Sequence, residues 1–181
     1  SGLALDLAFW GVRERTGLPF LDPPPAPAWS EAVKLLQSLG ALDIDGAITE
    51  EGRAIRELPL PPRLARMVVD AARTGAGATA AEVAVLLSER GLGGPAADLE
   101  DRLDRFRRER GQRADAARGM ARGWARTVKT PNASVTCDMS VGALVALAFP
   151  ERVAQRRGKP GEFLMANGRA GAVEPHDRLA S

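Results

Sequence analysis

Apolar residues in the first forty positions recur at the spacing of two helices. They are dense from residue 3 to residue 15, which predicts a largely buried first helix that ends near Thr16. They recur again after Ser30, a candidate N-cap, as far as Gly40. Four prolines between residues 23 and 27 fix φ and remove backbone donors, so we expect an extended connector packed by its neighbours, or a proline motif for a partner.

The next twenty residues predict a hairpin and a third helix. The stretch from residue 41 to residue 48 alternates around Asp45-Gly46, which favours a two-residue turn. Thr49 can cap a helix that runs to about Leu58, where prolines follow. Helix, helix, hairpin and helix is the order of a winged-helix domain.

The following seventy residues predict a bundle of helices. An apolar face after Arg63 predicts one helix, and Thr79 with Glu82 forms a capping box for a second. A third is expected from about Asp98, and Gly111 either bends it or separates it from a fourth.

The last fifty residues predict one short helix and a hairpin. Asp138 or Ser140 can cap an apolar run that Pro150 ends, and Asn167-Gly168 is a hairpin turn. The predicted fold class is mainly α (α+β), a winged helix followed by a helical bundle with a short C-terminal hairpin.

Composition places the chain among globular proteins. Its 181 residues are 45% hydrophobic and 27% charged, enough for one core or for two to three small modules. Cys137 and His176 are the only residues of their types, which excludes an internal disulfide and a Cys/His zinc cluster, and we expect a reducing, cytoplasmic location. No apolar run is long enough to span a bilayer. The chain starts at Ser1, so we expect a piece of a longer protein.

Charge is distributed unevenly along the chain. Residues 1–104 contain 10 Lys/Arg against 16 Asp/Glu, a net charge of −6, whereas residues 105–181 contain 15 against 7, a net charge of +8. The two halves are therefore expected to meet different partners. Of the 25 cations 22 are arginine, which suits bidentate phosphate contacts but also arises from a GC-rich genome.

The densest positive segment, residues 105–129, holds nine cations and two acids. On a helix, arginines at i, i+4 and i+8 form one row that can follow a phosphate backbone, and a tryptophan can stack on a base. The alternative is a solvated helix face with the tryptophan in the core. The candidate nucleic-acid-binding residues are Arg110, Arg113, Arg118, Arg122, Trp124, Arg126 and Lys129, with Arg156, Arg157 and Lys159 as a second patch.

Other chemistry is missing from the sequence. No phosphate-binding G-x-x-x-x-G-K-[ST] loop is present, because Gly158-Lys159 is followed by Pro160 instead of a hydroxyl residue. His176 stands alone in a polar tail, so we predict no catalytic residues and no metal site. Residues 29–60 carry six acids against three cations, a net charge of −3. An acidic wing does not suit docking on DNA, so we interpret the winged helix as scaffolding.

Two segments resemble the region that follows the motor domains of DEAH-box RNA helicases. Residues 21–91 contain D-x-P-P, then A-x-x-x-L-x-x-L-G-A-L-D, I-T-x-x-G and L-P-L-x-P-R-L-A-x-M. Residues 144–173 read LVALAFPERVAQRRGKPGEFLMANGRAGAV and are similar to the A-Y-P-D-R-I-A-x-R-R-G and L-A-N-G-R-G-A motifs of the bacterial HrpB-type branch. Phe149 and Glu151 replace the tyrosine and aspartate of that branch. The resemblance covers nearly the whole chain.

The resemblance implies three modules and a function. The modules would be a winged helix in residues 1–60, a ratchet-like helical bundle in residues 61–130 and the truncated start of an OB-like barrel in residues 131–181. In this family two upstream RecA-like domains bind and hydrolyse ATP with Mg²⁺, while the accessory modules close over a single strand of RNA. The chain would therefore help to hold and guide single-stranded nucleic acid, bind no cofactor itself, and work beside motor domains that its own sequence lacks.

Two other functions remain open at this point. A winged-helix DNA-binding regulator would bind duplex DNA selectively. A helical protein-interaction module would dock a protein on the proline stretch or on the acidic winged helix, and its binding would survive high salt.

Overall fold

The computed structural model describes residues 1–14, 16, 19–128, 139–174 and 177–180. Within these ranges no helix combines the length and the apolar character needed to cross a membrane. The described residues form eight α-helices, two 3-10 turns and a three-stranded antiparallel sheet: α1 Gly2–Phe9, α2 Ala26–Ser38, α3 Glu50–Arg56, α4 Pro62–Arg73, α5 Gly77–Ser88, α6 Leu99–Arg108, α7 Gln112–Thr127, α8 Val141–Ala148, the turns Pro150–Arg152 and Arg178–Ala180, and the strands β1 Ala154–Arg156, β2 Glu162–Met165 and β3 Ala170–Ala172. The predicted mainly α class is confirmed.

The first two helices differ from their predicted bounds. Helix α1 ends at Phe9 instead of near residue 16, and Gly11 follows it with a φ of +82°. Helix α2 begins four residues before the predicted cap Ser30, because Pro25 takes the N-cap position and Pro27 lies in the first turn, where its missing N–H costs nothing. Leu21 is 98% exposed and does not pack the connector.

The wing is reduced to one tight turn. Its only β-bridge among the described residues joins Leu42 to Ile48. The Asp43 carboxylate closes the turn, since Oδ1 accepts hydrogen bonds from the amides of Asp45 (3.0 Å) and Ala47 (2.8 Å). The predicted cap at Thr49 is confirmed, because its Oγ1 accepts from the Gly52 amide at 3.0 Å.

Two arginines on α4 connect the parts of the chain on either side of it. The Arg66 guanidinium donates to the Leu39 carbonyl (2.5 Å) at the end of α2 and to the Asp70 carboxylate (2.7 Å). It also lies 3.6 Å from the carboxylate of Glu51 in α3. In the opposite direction the Arg63 guanidinium donates to the Ala148 carbonyl at 2.9 Å, at the end of α8. Helix α4 therefore holds the winged helix and α8 in place.

Arg73 completes the charge network between α3 and α4. Its guanidinium donates to Glu51 at 2.7 Å and to Asp70 at 3.0 Å. The hydrogen bond to Glu51 raises the pKa of Arg73 above its ordinary value, against a smaller opposing effect of burial. Arg73 therefore keeps its positive charge at every physiological pH.

Helix α5 lies at the centre of the helical bundle. Ala80, Ala81, Val83, Ala84 and Val85 are all fully buried, so that the helix is enclosed on several faces. It begins at Gly77 with Ala76 as its N-cap residue, so the predicted capping box at Thr79 is wrong. Thr79 lies inside the first turn instead.

The end of the bundle consists of two successive helices. Asp98 caps α6, since its carboxylate accepts from the Glu100 amide at 2.8 Å, and the predicted start of this helix near Asp98 is confirmed. Gly111, with a φ of +121°, separates α6 from α7. Of the two predicted alternatives, separate helices are confirmed and a bent helix is wrong.

The C-terminal part confirms the predicted hairpin and adds a strand. Ser140 caps α8 by accepting from the Ala143 amide at 3.2 Å, while the alternative cap Asp138 lies outside the described residues. Strands β2 and β3 form the hairpin that turns at Asn167-Gly168, and β1 joins it to give the order β1-β2-β3. The sequence analysis missed β1.

One buried core runs from α1 to α8, so the winged helix and the bundle share it. The proposed division at residue 60 falls in the turn between α3 and α4. The three-module division, including an OB-like unit, stays a prediction.

We predict that Arg66→Ala lowers the free energy of unfolding by about 2–3 kcal/mol, because the Leu39 carbonyl loses its charged donor and the partly buried Glu51 and Asp70 keep only one of their two shared arginines. Urea unfolding followed by circular dichroism measures this. Lys34→Ala is the control: Lys34 forms an exposed pair with Glu31 within α2, and its loss should change stability by less than about 1 kcal/mol. Equal effects of the two substitutions would contradict the role given to Arg66.

Candidate nucleic-acid interface

Helix α7 packs on α5 through a stripe of small residues. Ala114, Ala117 and Ala121 are each at most 3% exposed and face the core. Small side chains let the two helix backbones approach closely, and the arginines of α7 are therefore placed at the edges of the contact. One of these edges forms a groove.

The groove between α5 and α7 has a volume of about 380 Å³. Ala78, Ala121 and Ala125 give it an apolar floor, and Glu82 is the only acid among the described residues that line it. The remaining lining residues are Arg118, Arg122 and Arg126. The structure therefore brings together the three arginines of the predicted row.

Arg118 differs from the other two arginines because its charge is used within the protein. Its side chain is 19% exposed. The guanidinium donates to the Phe106 carbonyl at 2.6 Å and to the Asp115 carboxylate at 2.7 Å, and it lies 5.7 Å from the centre of the Phe106 ring. Arg118 thus fastens the end of α6 to α7.

Arg122 and Arg126 are exposed at the rim of the groove. Arg126 donates from Nε to the Arg122 carbonyl at 3.2 Å, which orients the side chain without neutralising it. Neither guanidinium has a carboxylate within 4.0 Å among the described residues. The Glu82 carboxylate across the groove is paired with Arg107 at 2.7 Å. The rim therefore carries two positive charges that the described part of the protein does not compensate.

Other members of the predicted first patch lie away from the groove. The Arg113 guanidinium donates to the Arg90 carbonyl in the loop after α5. Trp124 is half-buried and packs against the core, as in the alternative interpretation of the sequence. At 100° per residue, Arg113 lies about 180° and Trp124 about 160° around α7 from Arg122. Arg110 is exposed between α6 and α7, and Lys129 is outside the described residues.

The second predicted patch lies on the sheet. Arg156 is in β1 opposite Phe163, and the Arg157 amide donates to the Glu162 carbonyl at 3.0 Å in the turn that joins β1 to β2. Arg156, Arg157 and Lys159 are all exposed. These three cations therefore form a separate surface at one end of the sheet.

Among the described residues, no group of three or more His, Cys, Asp or Glu side chains is placed to hold a metal ion.

Two exposed arginines that sequence reasoning left out lie, like Arg113, at the loop between α5 and α6. Arg90 is in this loop, and Arg105 of α6 lies next to Gly94 of the loop, as Arg113 lies next to Gly91. Arg105 could have been included from its place in the basic segment. Arg90 could not, because a loop brings it there.

The comparison with family models matches residues 32–60 to the helicase associated domain (HA2), winged-helix. The ATP-dependent RNA helicase HrpB of Escherichia coli strain K12 is 32% identical over 182 residues, covering 99% of this chain and 21% of HrpB. Two crystal structures of E. coli HrpB match 99% of the chain and 21% and 22% of their own lengths, with TM-scores of 0.76 and 0.79 at 31% and 32% identity. The chain is a DEAH-box helicase C-terminal region of the HrpB type.

A more distant relative matches only part of this HrpB-type region. The pre-mRNA-splicing factor ATP-dependent RNA helicase prp22 of Schizosaccharomyces pombe is 27% identical over 107 residues, which is 59% of this chain and 9% of that protein. The chain spans about a fifth of the length of HrpB. The segment matched as winged helix contains α2 from residue 32 onwards, the reduced wing and α3, and thus none of the groove arginines of this HrpB-type region.

We predict that Arg118→Ala lowers the free energy of unfolding by about 1.5–3 kcal/mol, because the Phe106 carbonyl loses its charged donor. Arg122→Ala, one turn further along the same helix, should change it by no more than about 0.5 kcal/mol. Chemical unfolding of both variants checks the difference. If Arg122→Ala destabilised the protein as much as Arg118→Ala, this would contradict the claim that Arg118 stabilises the fold and Arg122 does not.

Proposed function

We propose that the chain is an accessory part of an ATP-dependent RNA helicase and helps to hold and guide single-stranded nucleic acid. The observation that supports this most is the groove between α5 and α7, where Arg122 and Arg126 are exposed and uncompensated above an alanine floor. Guanidinium groups on a helix edge suit phosphate oxygens, and the small floor residues leave room for a strand to lie close.

The chemistry of the groove suits binding that does not depend on base sequence. Arginine contacts to phosphates supply affinity and register but carry no sequence information directly. The described lining residues include no Asn or Gln that could read a base edge. The exposed cations of the sheet, Arg156, Arg157 and Lys159, would extend the contact to a second part of the strand.

RNA is the proposed strand, because both HrpB and prp22 are named ATP-dependent RNA helicases. ATP and Mg²⁺ would be bound by RecA-like motor domains of the parent protein, and these domains would be the protein partner of this chain. The winged helix would serve as scaffold. Its single bridge, its acidic turn and the 89% exposed Ile44 at the tip do not form a cationic surface for a DNA groove.

We predict that Arg122→Ala/Arg126→Ala weakens binding of a fluorescein-labelled oligouridine about fivefold to tenfold at low salt, measured by fluorescence anisotropy. The slope of log Kobs against log salt should become less steep by about 1.4, which is about 0.7 for each lost phosphate contact to a single strand.

The matched control is Lys34→Ala/Arg108→Ala, which removes the same charge from two exposed cations that pair within their own helices. It should leave the slope unchanged. Equal slopes for the wild type and the Arg122→Ala/Arg126→Ala variant would contradict the proposed role of the groove.

A further inference from the structure

We propose a further phosphate-binding surface around the loop between α5 and α6, formed by Arg90 of the loop, Arg105 of α6 and Arg113 of α7. We refer to this surface as the loop cluster. It lies on the side of α7 that faces away from the groove, and its ligand would be the sugar-phosphate backbone of a strand that extends beyond the groove. This inference rests on the proposed function, because the ligand is the same polymer.

The loop is held rigidly against α6. Gly93 has a φ of +69°, and a Cβ at this position would lie 2.3 Å from the Arg102 carbonyl oxygen, so only glycine fits. The Gly93 amide donates to the Glu109 carboxylate at 3.0 Å. The Arg102 guanidinium donates to the carbonyls of Leu86 and Leu92 at 3.2 and 3.3 Å, at the two ends of the turn. The backbone that carries Arg90, and next to which the guanidinium groups of Arg105 and Arg113 lie, is therefore in place before a ligand arrives.

Two glycines keep the guanidinium groups uncovered. Nη1 of Arg113 lies 3.6 Å from the place where a Cβ of residue 91 would be, and Nη1 of Arg105 lies 3.2 Å from the corresponding place at residue 94. Gly91 and Gly94 both have positive φ. Because neither glycine has a side chain, a phosphate can reach the two guanidinium groups across the loop.

The positive charges of the loop cluster are not compensated by ion pairs. None of Arg90, Arg105 and Arg113 has a carboxylate within 4.0 Å in the part of the chain that the structure describes. Arg113 instead donates to the carbonyl of Arg90, which fixes its direction and leaves its charge intact. By contrast, three other arginines of α6 and α7 are each paired with an acid: Arg107, Arg108 and Arg118.

A shallow basin of about 620 Å³ adjoins these arginines. Arg90, Gly91 and Gly94 line it together with Pro95 and Arg102, and Glu89 is the one acid among its described lining residues. The basin has room for a phosphodiester group and the adjoining sugar. Of the three arginines Arg90 lines the basin, while Arg113 and Arg105 lie next to two of its glycines, Gly91 and Gly94. Guanidinium groups placed along one short loop suit bidentate contacts to successive phosphate oxygens.

The experiment uses two labelled oligouridines, one of about 5 and one of about 20 nucleotides, so that only the longer strand can leave the groove. Arg90→Ala/Arg105→Ala should make the salt slope for the long strand less steep by about 1.4 and leave binding of the short strand unchanged. Arg90→Lys/Arg105→Lys should restore the slope, which shows that charge and not misfolding is responsible. Lys34→Ala/Arg108→Ala is again the charge-matched control.

The outcomes separate this inference from the proposed function. If Arg122→Ala/Arg126→Ala weakens binding of both strands but Arg90→Ala/Arg105→Ala leaves binding of the long strand unchanged, the proposal for the loop cluster is wrong and the proposal for the groove is supported. If neither strand binds to the wild-type protein, both proposals are wrong.

A last comparison distinguishes a strand from free phosphate. We expect inorganic phosphate to weaken binding of the long strand no more than chloride does at equal ionic strength. Selective competition that is lost in Arg90→Ala/Arg105→Ala would indicate a site for the free ion and would overturn the assignment to a strand.

Discussion

The structure depends on the burial of α5 between α4 and α7. A helix enclosed on several faces must present small side chains where other backbones approach, and α5 does so with Ala80, Ala81 and Ala84. The alanines of α7 face it in the same way. Because the contact is close and free of polar groups, the long charged side chains of α7 lie at its edges. The groove, its apolar floor and the exposed position of Arg122 all follow from this packing.

Arginine has two uses in this protein, and the partner of each guanidinium decides which one applies. Arg66 and Arg118 each donate to a carbonyl of another element, pair with carboxylates, and hold the fold together. Arg122 and Arg126 carry the same charge on α7, but neither guanidinium lies within 4.0 Å of a carboxylate among the described residues. A surface that combines neutralised and uncompensated cations in this way concentrates its positive charge in separate places, among them the groove, the loop cluster and the cations of the sheet.

Most helices were predictable because they depend on local spacing. The apolar periodicity of α4, the cap at Thr49 and the start of α6 near Asp98 involve residues that are neighbours in sequence, and the structure confirms them. The start of α2 was missed because proline can either extend a chain or occupy the first turn of a helix. Strand β1 was missed because its three residues show no alternation and pair only through the later hairpin.

The candidate site was predictable in outline but not in detail. The basic segment and its row of three arginines could be read from the sequence, and the structure places that row on one groove. The different roles of Arg118 and Arg122 could not be read from the sequence, because the role of Arg118 depends on the Phe106 carbonyl, twelve residues away in another helix. Arg90 joins Arg113 only through the turn after α5, for which no sequence spacing gives a signal.

The central claim is that nucleic acid meets α7 and not the wing, and photo-crosslinking tests it most directly. A 4-thiouridine-labelled oligouridine would be irradiated with the protein, and the modified peptides would be mapped by mass spectrometry. We expect crosslinks in peptides from α7, a lower yield of these crosslinks in Arg122→Ala/Arg126→Ala, and no crosslinks in residues 41–49. Crosslinks confined to residues 41–49, with α7 unmodified, would contradict it.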